Sequence, residues 1–170
     1  MGTFHSLCHR LLRLHYKEAG LPQNFQILDR DDQLRLCRRL LREEKIDEKT
    51  IDAKALVAFI SGHKEEGRRA QNLEAFDPHE AQLIELYRLY QLTCDTAGLV
   101  DFSEILLRAL ELLRSNRTIL THYQERFQFV LVDEFQDTND LQYRWLCLLA
   151  GGGASLFAVG DDDQSIYAFR

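Results

Sequence analysis

Phe129-Val130-Leu131-Val132-Asp133-Glu134-Phe135-Gln136-Asp137 is a four-residue apolar run that stops on adjacent carboxylates. An unbroken apolar run of this length reads as a short buried parallel strand. Such a strand delivers the residues after it to the carboxyl edge of a sheet, where open α/β folds bind their ligands. An acid pair at that edge suits nucleotide hydrolysis, with Asp133 holding Mg²⁺ and Glu134 orienting or deprotonating the attacking water. Mg²⁺ sheds its hydration reluctantly, so Asp133 is expected to reach the metal through a water. The competing reading is that the pair only caps the helix behind it, and Gln136-Asp137 weighs against that.

A second unit of the same kind lies downstream. Leu156-Phe157-Ala158-Val159-Gly160 reads as another buried strand, followed by Asp161-Asp162-Asp163-Gln164-Ser165-Ile166-Tyr167-Ala168-Phe169-Arg170. Between the two, Leu141, Trp145, Leu148 and Leu149 recur at helical spacing, with Asn139 or Asp140 as the cap and Gly151-Gly152-Gly153 as the stop. Strand, helix and strand in this order make a parallel crossover, which looks like part of a RecA-like core. The triple Asp lacks the alternating ligands and distal Glu of a Ca²⁺ loop and is expected to shape the turn.

The rest reads as nearly all helix. Phe4, Leu7, Cys8, Leu11 and Leu12 form one apolar stripe, ending near Gly20-Leu21-Pro22, and Leu34, Cys37, Leu40 and Leu41 form the next. Ile51 to Ile60 and the polar stretch around Gly62 and Gly67 suggest two shorter helices. A long helix follows Pro78, lined by Leu83, Leu86, Tyr87, Tyr90 and Cys94, and stops at Gly98. Another is lined by Phe102, Ile105, Leu106, Ala109 and Leu113, with Asp101 as N-cap and Glu104 completing a capping box. The expected fold class is mostly α with a small parallel β component.

The motifs resemble a known family. Thr3-Phe4-His5-Ser6, Asp133-Glu134-Phe135-Gln136-Asp137-Thr138-Asn139 and Gly160-Asp161-Asp162-Asp163-Gln164-Ser165-Ile166-Tyr167 are similar, in this order, to three motifs of the superfamily 1 DNA helicases of the UvrD/Rep/PcrA type. The resemblance covers essentially the whole chain. It implies a division into residues 1–18, the end of the first segment of a RecA-like domain 1A; residues 19–100, a helical 1B subdomain; and residues 101–170, a return into 1A through Gly98-Leu99-Val100-Asp101-Phe102.

The same resemblance implies an ATP-dependent helicase that uses Mg²⁺ and moves 3′ to 5′ on single-stranded DNA to open duplex junctions, with a role in DNA repair and repair proteins as partners. It places Gln164 against the γ-phosphate, where an amide donates without adding charge. Tyr167 and Phe169 match positions that stack on bases, a sequence-tolerant contact, although many members carry Trp where this chain has Phe169. Arg170 belongs with them in the DNA contact, and Thr3, Phe4 and His5 match an early DNA-contacting motif. A cytoplasmic, nucleoid-associated location goes with this reading.

No glycine-rich phosphate loop with Lys and Ser/Thr occurs among these residues, and Gly151-Gly152-Gly153 lacks the residues that would make it one. The expectation is therefore a fragment of a helicase, unable on its own to turn over ATP. Its two strands, short of neighbours, would leave edges through which copies self-associate.

A net charge of −6 argues against a generally basic nucleic-acid binder. Locally, Arg35, Arg38, Arg39 and Arg42 share one helix face, as do Arg10 and Arg13. These read either as solvated faces or as stripes that track phosphates. The second option supports an alternative function, a noncatalytic single-stranded DNA or partner-binding helical module; a purely structural helical domain is a third. Cys8, Cys37, Cys94 and Cys147 are scattered and the histidines do not cluster, so no zinc pattern arises and reduced thiols are expected. No apolar run approaches the roughly 18 residues of a membrane span.

Overall fold

A computed structural model describes residues 2–161, and the chain divides into two compact units, Met1–Arg108 and Ala109–Arg170. The first contains α1 (Phe4–Leu14), β1 (Gln26–Ile27), α2 (Arg30–Glu43), α3 (Ala53–Glu65), a 3₁₀ turn (Ala70–Asn72), α4 (Pro78–Ala97) and β2 (Leu99–Val100). The division falls within α5 (Phe102–Ser115). The second unit continues with α6 (Arg117–Arg126), β3 (Phe129–Val132), a 3₁₀ turn (Phe135–Asp137), α7 (Asp140–Ala150) and β4 (Ser155–Ala158).

Short polar side chains start the helices by accepting otherwise orphaned backbone N–H groups. Asp29 accepts from Asp32 N at 2.8 Å, Asp77 from Glu80 N at 2.8 Å, and Asn116 from Ile119 N at 3.1 Å. Asn139, rather than Asp140, caps α7, and Gln142 reaches back to complete a capping box. Pro78 begins α4 and Gly98 ends it as expected, with Gly98 at φ 66° in the left-handed region. A Cβ there would also lie 2.7 Å from Pro22 Cγ, so both backbone and space require glycine.

Two local expectations change, and one strand pair is added. One helix, α3 (Ala53–Glu65), runs straight through Gly62 where two were expected, since one exposed glycine costs a helix only about 1 kcal/mol. Asp101 does accept from Glu104 N at 2.8 Å, but the Glu104 side chain does not close a capping box. Stronger partners hold it elsewhere. β1 and β2 pair in parallel, with Gln26 opposite Leu99 and Ile27 opposite Val100. A two-residue strand carries no periodicity to read.

The first unit's core gathers Leu36, Cys37, Leu40 and Leu41 of α2, Leu56 and Ile60 of α3, and Leu86, Tyr87, Tyr90 and Cys94 of α4. At one side of it lies a buried set of charges. Lys64 Nζ is 2.7 Å from Asp101 Oδ2 and 2.9 Å from Glu104 Oε2, and all three side chains are at most 2 % exposed. Arg69 reaches Glu104 Oε2 at 2.7 Å, and Arg108 spans Glu104 Oε1 at 2.7 Å and Asp95 Oδ1 at 2.6 Å. Tyr90 donates its hydroxyl to Asp101 Oδ2 at 2.8 Å.

Burial alone would raise the Glu104 carboxyl, yet Lys64, Arg69 and Arg108 outweigh it and hold the group well below the usual carboxylate range. Burial would likewise lower Lys64, and the Glu104 and Asp101 carboxylates more than reverse that. Tyr87 is pushed up to about 12, chiefly by burial.

Glu104, depressed on folding, contributes stability that is complete above its ordinary value of 4.5 and is lost as pH falls through the folded value. Lys64, raised on folding, contributes stability that is complete below 10.5 and is lost as pH climbs through its folded value. Lys64→Met leaves two buried carboxylates short of a cation and is expected to lower stability at pH 7 by roughly 3–5 kcal/mol in urea denaturation. A loss under about 1 kcal/mol would mean that water already solvates the cluster.

Candidate functional site

β3 and β4 pair in parallel over their whole lengths, from Phe129 opposite Ser155 to Val132 opposite Ala158, joined by α7. The crossover is the one expected, but the strands are not buried. Phe129 is 73 % exposed, Leu131 67 % and Phe157 56 %, because each strand has one hydrogen-bonded neighbour among the described residues. Val132 is the buried exception.

Asp133 and Glu134 follow Val132 at the carboxyl edge, and both are exposed. Glu134 N donates to Asp133 Oδ1 at 3.0 Å. Glu134 has φ 53° and ψ 43°, a left-handed conformation that costs a non-glycine residue on the order of 1–2 kcal/mol. The other such residue among those described, Lys45, closes the end of α2, where Ile46 N donates to Leu41 O at 2.9 Å. Glu134 ends no helix, and backbone bonds around it fix its conformation. Val159 N donates to Val132 O at 2.8 Å, Phe135 N to Val159 O at 3.0 Å, and Asp137 N to Glu134 O at 3.0 Å.

The Gln136 amide adds a side-chain link to this lattice. Its Nε2 donates to Glu134 Oε2 at 2.6 Å and its Oε1 accepts from Asp161 N at 3.2 Å. Sequence reasoning singled out the acids on either side of Gln136 and gave the amide itself no task. The available signal was its position, a neutral donor and acceptor between three carboxylates.

Among the described residues no three acid, His or Cys side chains gather in a metal-binding group. Mg²⁺ is usually held by one or two carboxylates, with waters and substrate phosphates filling its octahedron, so Asp133 with Glu134 beside it is a fitting donor set.

The early motif lies in the first unit. Thr3 Oγ1 accepts from Ser6 N at 3.3 Å, so Thr3 is the N-cap of α1. Phe4 and His5 are half-buried, and the His5 ring sits edge-on to Phe102 at 5.8 Å between centroids. Gln164, Tyr167, Phe169 and Arg170 lie outside the described residues.

The arginine stripes fare differently. Arg13 is held over the Phe25 ring at 3.8 Å and donates to His9 Nε2 at 3.0 Å, so it braces α1. On α2, Arg35, Arg38, Arg39 and Arg42 are exposed along one groove, with Arg35 paired to Asp32 at 2.6 Å and Arg39 to Glu43 at 3.8 Å. Cys8, Cys37, Cys94 and Cys147 are all free thiols. No helix among the described residues is long and apolar enough to cross a membrane.

The family model for the UvrD/REP helicase N-terminal domain matches residues 1–170, and the chain belongs to that family. It is 53 % identical to DNA helicase II of Haemophilus influenzae and 52 % identical to DNA helicase II of Escherichia coli, over its whole length in both cases. It is 36 % identical to the ATP-dependent DNA helicase PcrA of Staphylococcus aureus, again over its whole length. The chain spans 24 % of the length of each of these three relatives.

Burial, set against weaker effects of the Phe102 backbone and Glu65, lowers the His5 pKa. His5 is therefore expected to be neutral at pH 7, offering a hydrogen bond and no charge. An NMR titration should find its midpoint below 6.5; a midpoint above pH 7 would instead make the ring mainly a cation there, available to phosphate.

Proposed function

We propose that this chain is part of the first motor domain of an ATP-dependent DNA helicase, which couples ATP hydrolysis to 3′-to-5′ movement on single-stranded DNA and to opening of duplex junctions. The observation that carries the reading is the exposed Asp133-Glu134 pair at the carboxyl edge of a parallel strand pair, the place where α/β folds take nucleotides. Asp133 would hold Mg²⁺, which when bound neutralises phosphate charge. Glu134 would orient the attacking water, and Gln164 would sense the γ-phosphate. Tyr167 and Phe169 would stack on bases, with Arg170, Thr3, Phe4 and His5 as further DNA contacts.

In this reading residues 19–100 are the helical 1B subdomain, residues 1–18 and 101–170 belong to domain 1A, and the phosphate-cradling loop and second motor domain come from elsewhere in the whole protein. Repair is the process it serves, with repair proteins as partners and the nucleoid as its place of work. The exposed α2 arginines favour a second reading, a noncatalytic DNA-binding helical module.

Glu134→Gln in the whole protein is expected to lower DNA-stimulated ATP turnover at least 100-fold, within the usual range for loss of a general base. Turnover near wild type would remove the catalytic assignment. Fluorescence anisotropy with a labelled single-stranded oligonucleotide separates the two readings: Tyr167→Ala with Phe169→Ala should weaken binding, by roughly 1–3 kcal/mol per stacked base. Binding that ignores both substitutions and is lost with Arg38→Ala and Arg42→Ala would favour the helical module.

A further inference from the structure

We propose that Gln136 is a positioning residue, holding the Glu134 carboxylate in a fixed orientation and tying it to the backbone that follows β4; this rests on the catalytic reading of Glu134 above. The amide uses both its functions at once, donating Nε2–H to Glu134 Oε2 at 2.6 Å and accepting the Asp161 N–H on Oε1 at 3.2 Å. Those two partners decide which way the amide faces, since a carboxylate only accepts and a backbone N–H only donates. An exposed carboxylate has free rotamers in water, and a group that must orient a water gains from losing them. Gln136 removes that freedom without adding a charge that would shift the site's balance.

Gly160 is an independent sign that the contact is built in. A Cβ at Gly160 would lie 2.6 Å from Gln136 Oε1, and 3.3 and 3.4 Å from the backbone N of Gln136 and Phe135. Any larger residue would displace the Gln136 amide first, because that amide is the nearest and softest obstacle. Gly160 thus makes room for one particular bridge between the turn after β3 and the segment after β4. Because the same amide holds Asp161, a shift of the chain beyond β4 is transmitted to Glu134.

The test combines exchange and kinetics in the whole protein. Gln136→Ala and Gly160→Ala are both expected to speed hydrogen exchange at the Asp161 amide and to lower kcat for ATP by roughly 10- to 100-fold, the scale of a 1 Å misplacement, with KM nearly unchanged. Gln136→Glu keeps an acceptor for the Asp161 amide and loses the donor to Glu134. It should therefore retain exchange protection and still lose turnover, a split that a purely structural role does not produce. Wild-type kcat in Gln136→Ala while Glu134→Gln is inactive would overturn this inference and leave the catalytic reading standing. Full turnover in Glu134→Gln would overturn both, and unchanged Asp161 exchange in Gln136→Ala would overturn the bridge itself.

Discussion

Lys64 sits at the end of α3 with no exposed side-chain surface, and everything around it must be arranged so that an ammonium can exist there. Asp101 and Glu104 bring the start of α5 to it, Arg69 brings the segment after α3, and Arg108 with Asp95 ties in the end of α4. Buried ion clusters of this kind add little net stability over a well-packed apolar replacement. The favourable energy comes instead from the apolar core, where each large buried side chain contributes roughly 1.5–3 kcal/mol. What the cluster imposes is register. With charges this deep, an arrangement that leaves one unmatched is several kcal/mol worse, so α3, α4 and α5 have one acceptable alignment.

Much of the fold was legible because its signals are local. Pro78 and Gly98 bracket α4, Asn139 or Asp140 marks the start of α7, and two apolar runs on either side of a helix give a parallel pair. The Lys64 cluster was not legible. A single lysine in the last turn of a helix reads as an exposed residue complementing the helix dipole, and its partner Asp101 is 37 residues away. The β1–β2 pair was invisible for a related reason, since two-residue strands exist only by virtue of each other. The exposure of β3 and β4 departs from the expectation because composition reports what a strand is suited to contact, and not how many neighbours it has.

The candidate site shows the same division between local and distant information. Adjacent acids after a strand can be read directly, and their position at the edge followed from that. The left-handed backbone of Glu134 and the Gln136 bridge depend on where β4 ends, and no spacing rule encodes that meeting. Thr3 shows how one residue can bear two readings: its acceptor oxygen serves the start of α1, and its own hydroxyl proton remains for a donor role.

The distance in sequence between Lys64 and its anions has a consequence for synthesis. The chain leaves the ribosome at roughly 5–20 residues per second, so the 37 residues from Lys64 to Asp101 take about two to seven seconds to appear. Until then Lys64 has neither Asp101 nor Glu104 beside it, and burying its ammonium would carry an uncompensated cost of several kcal/mol. The charge cluster is therefore complete only once the start of α5 has emerged.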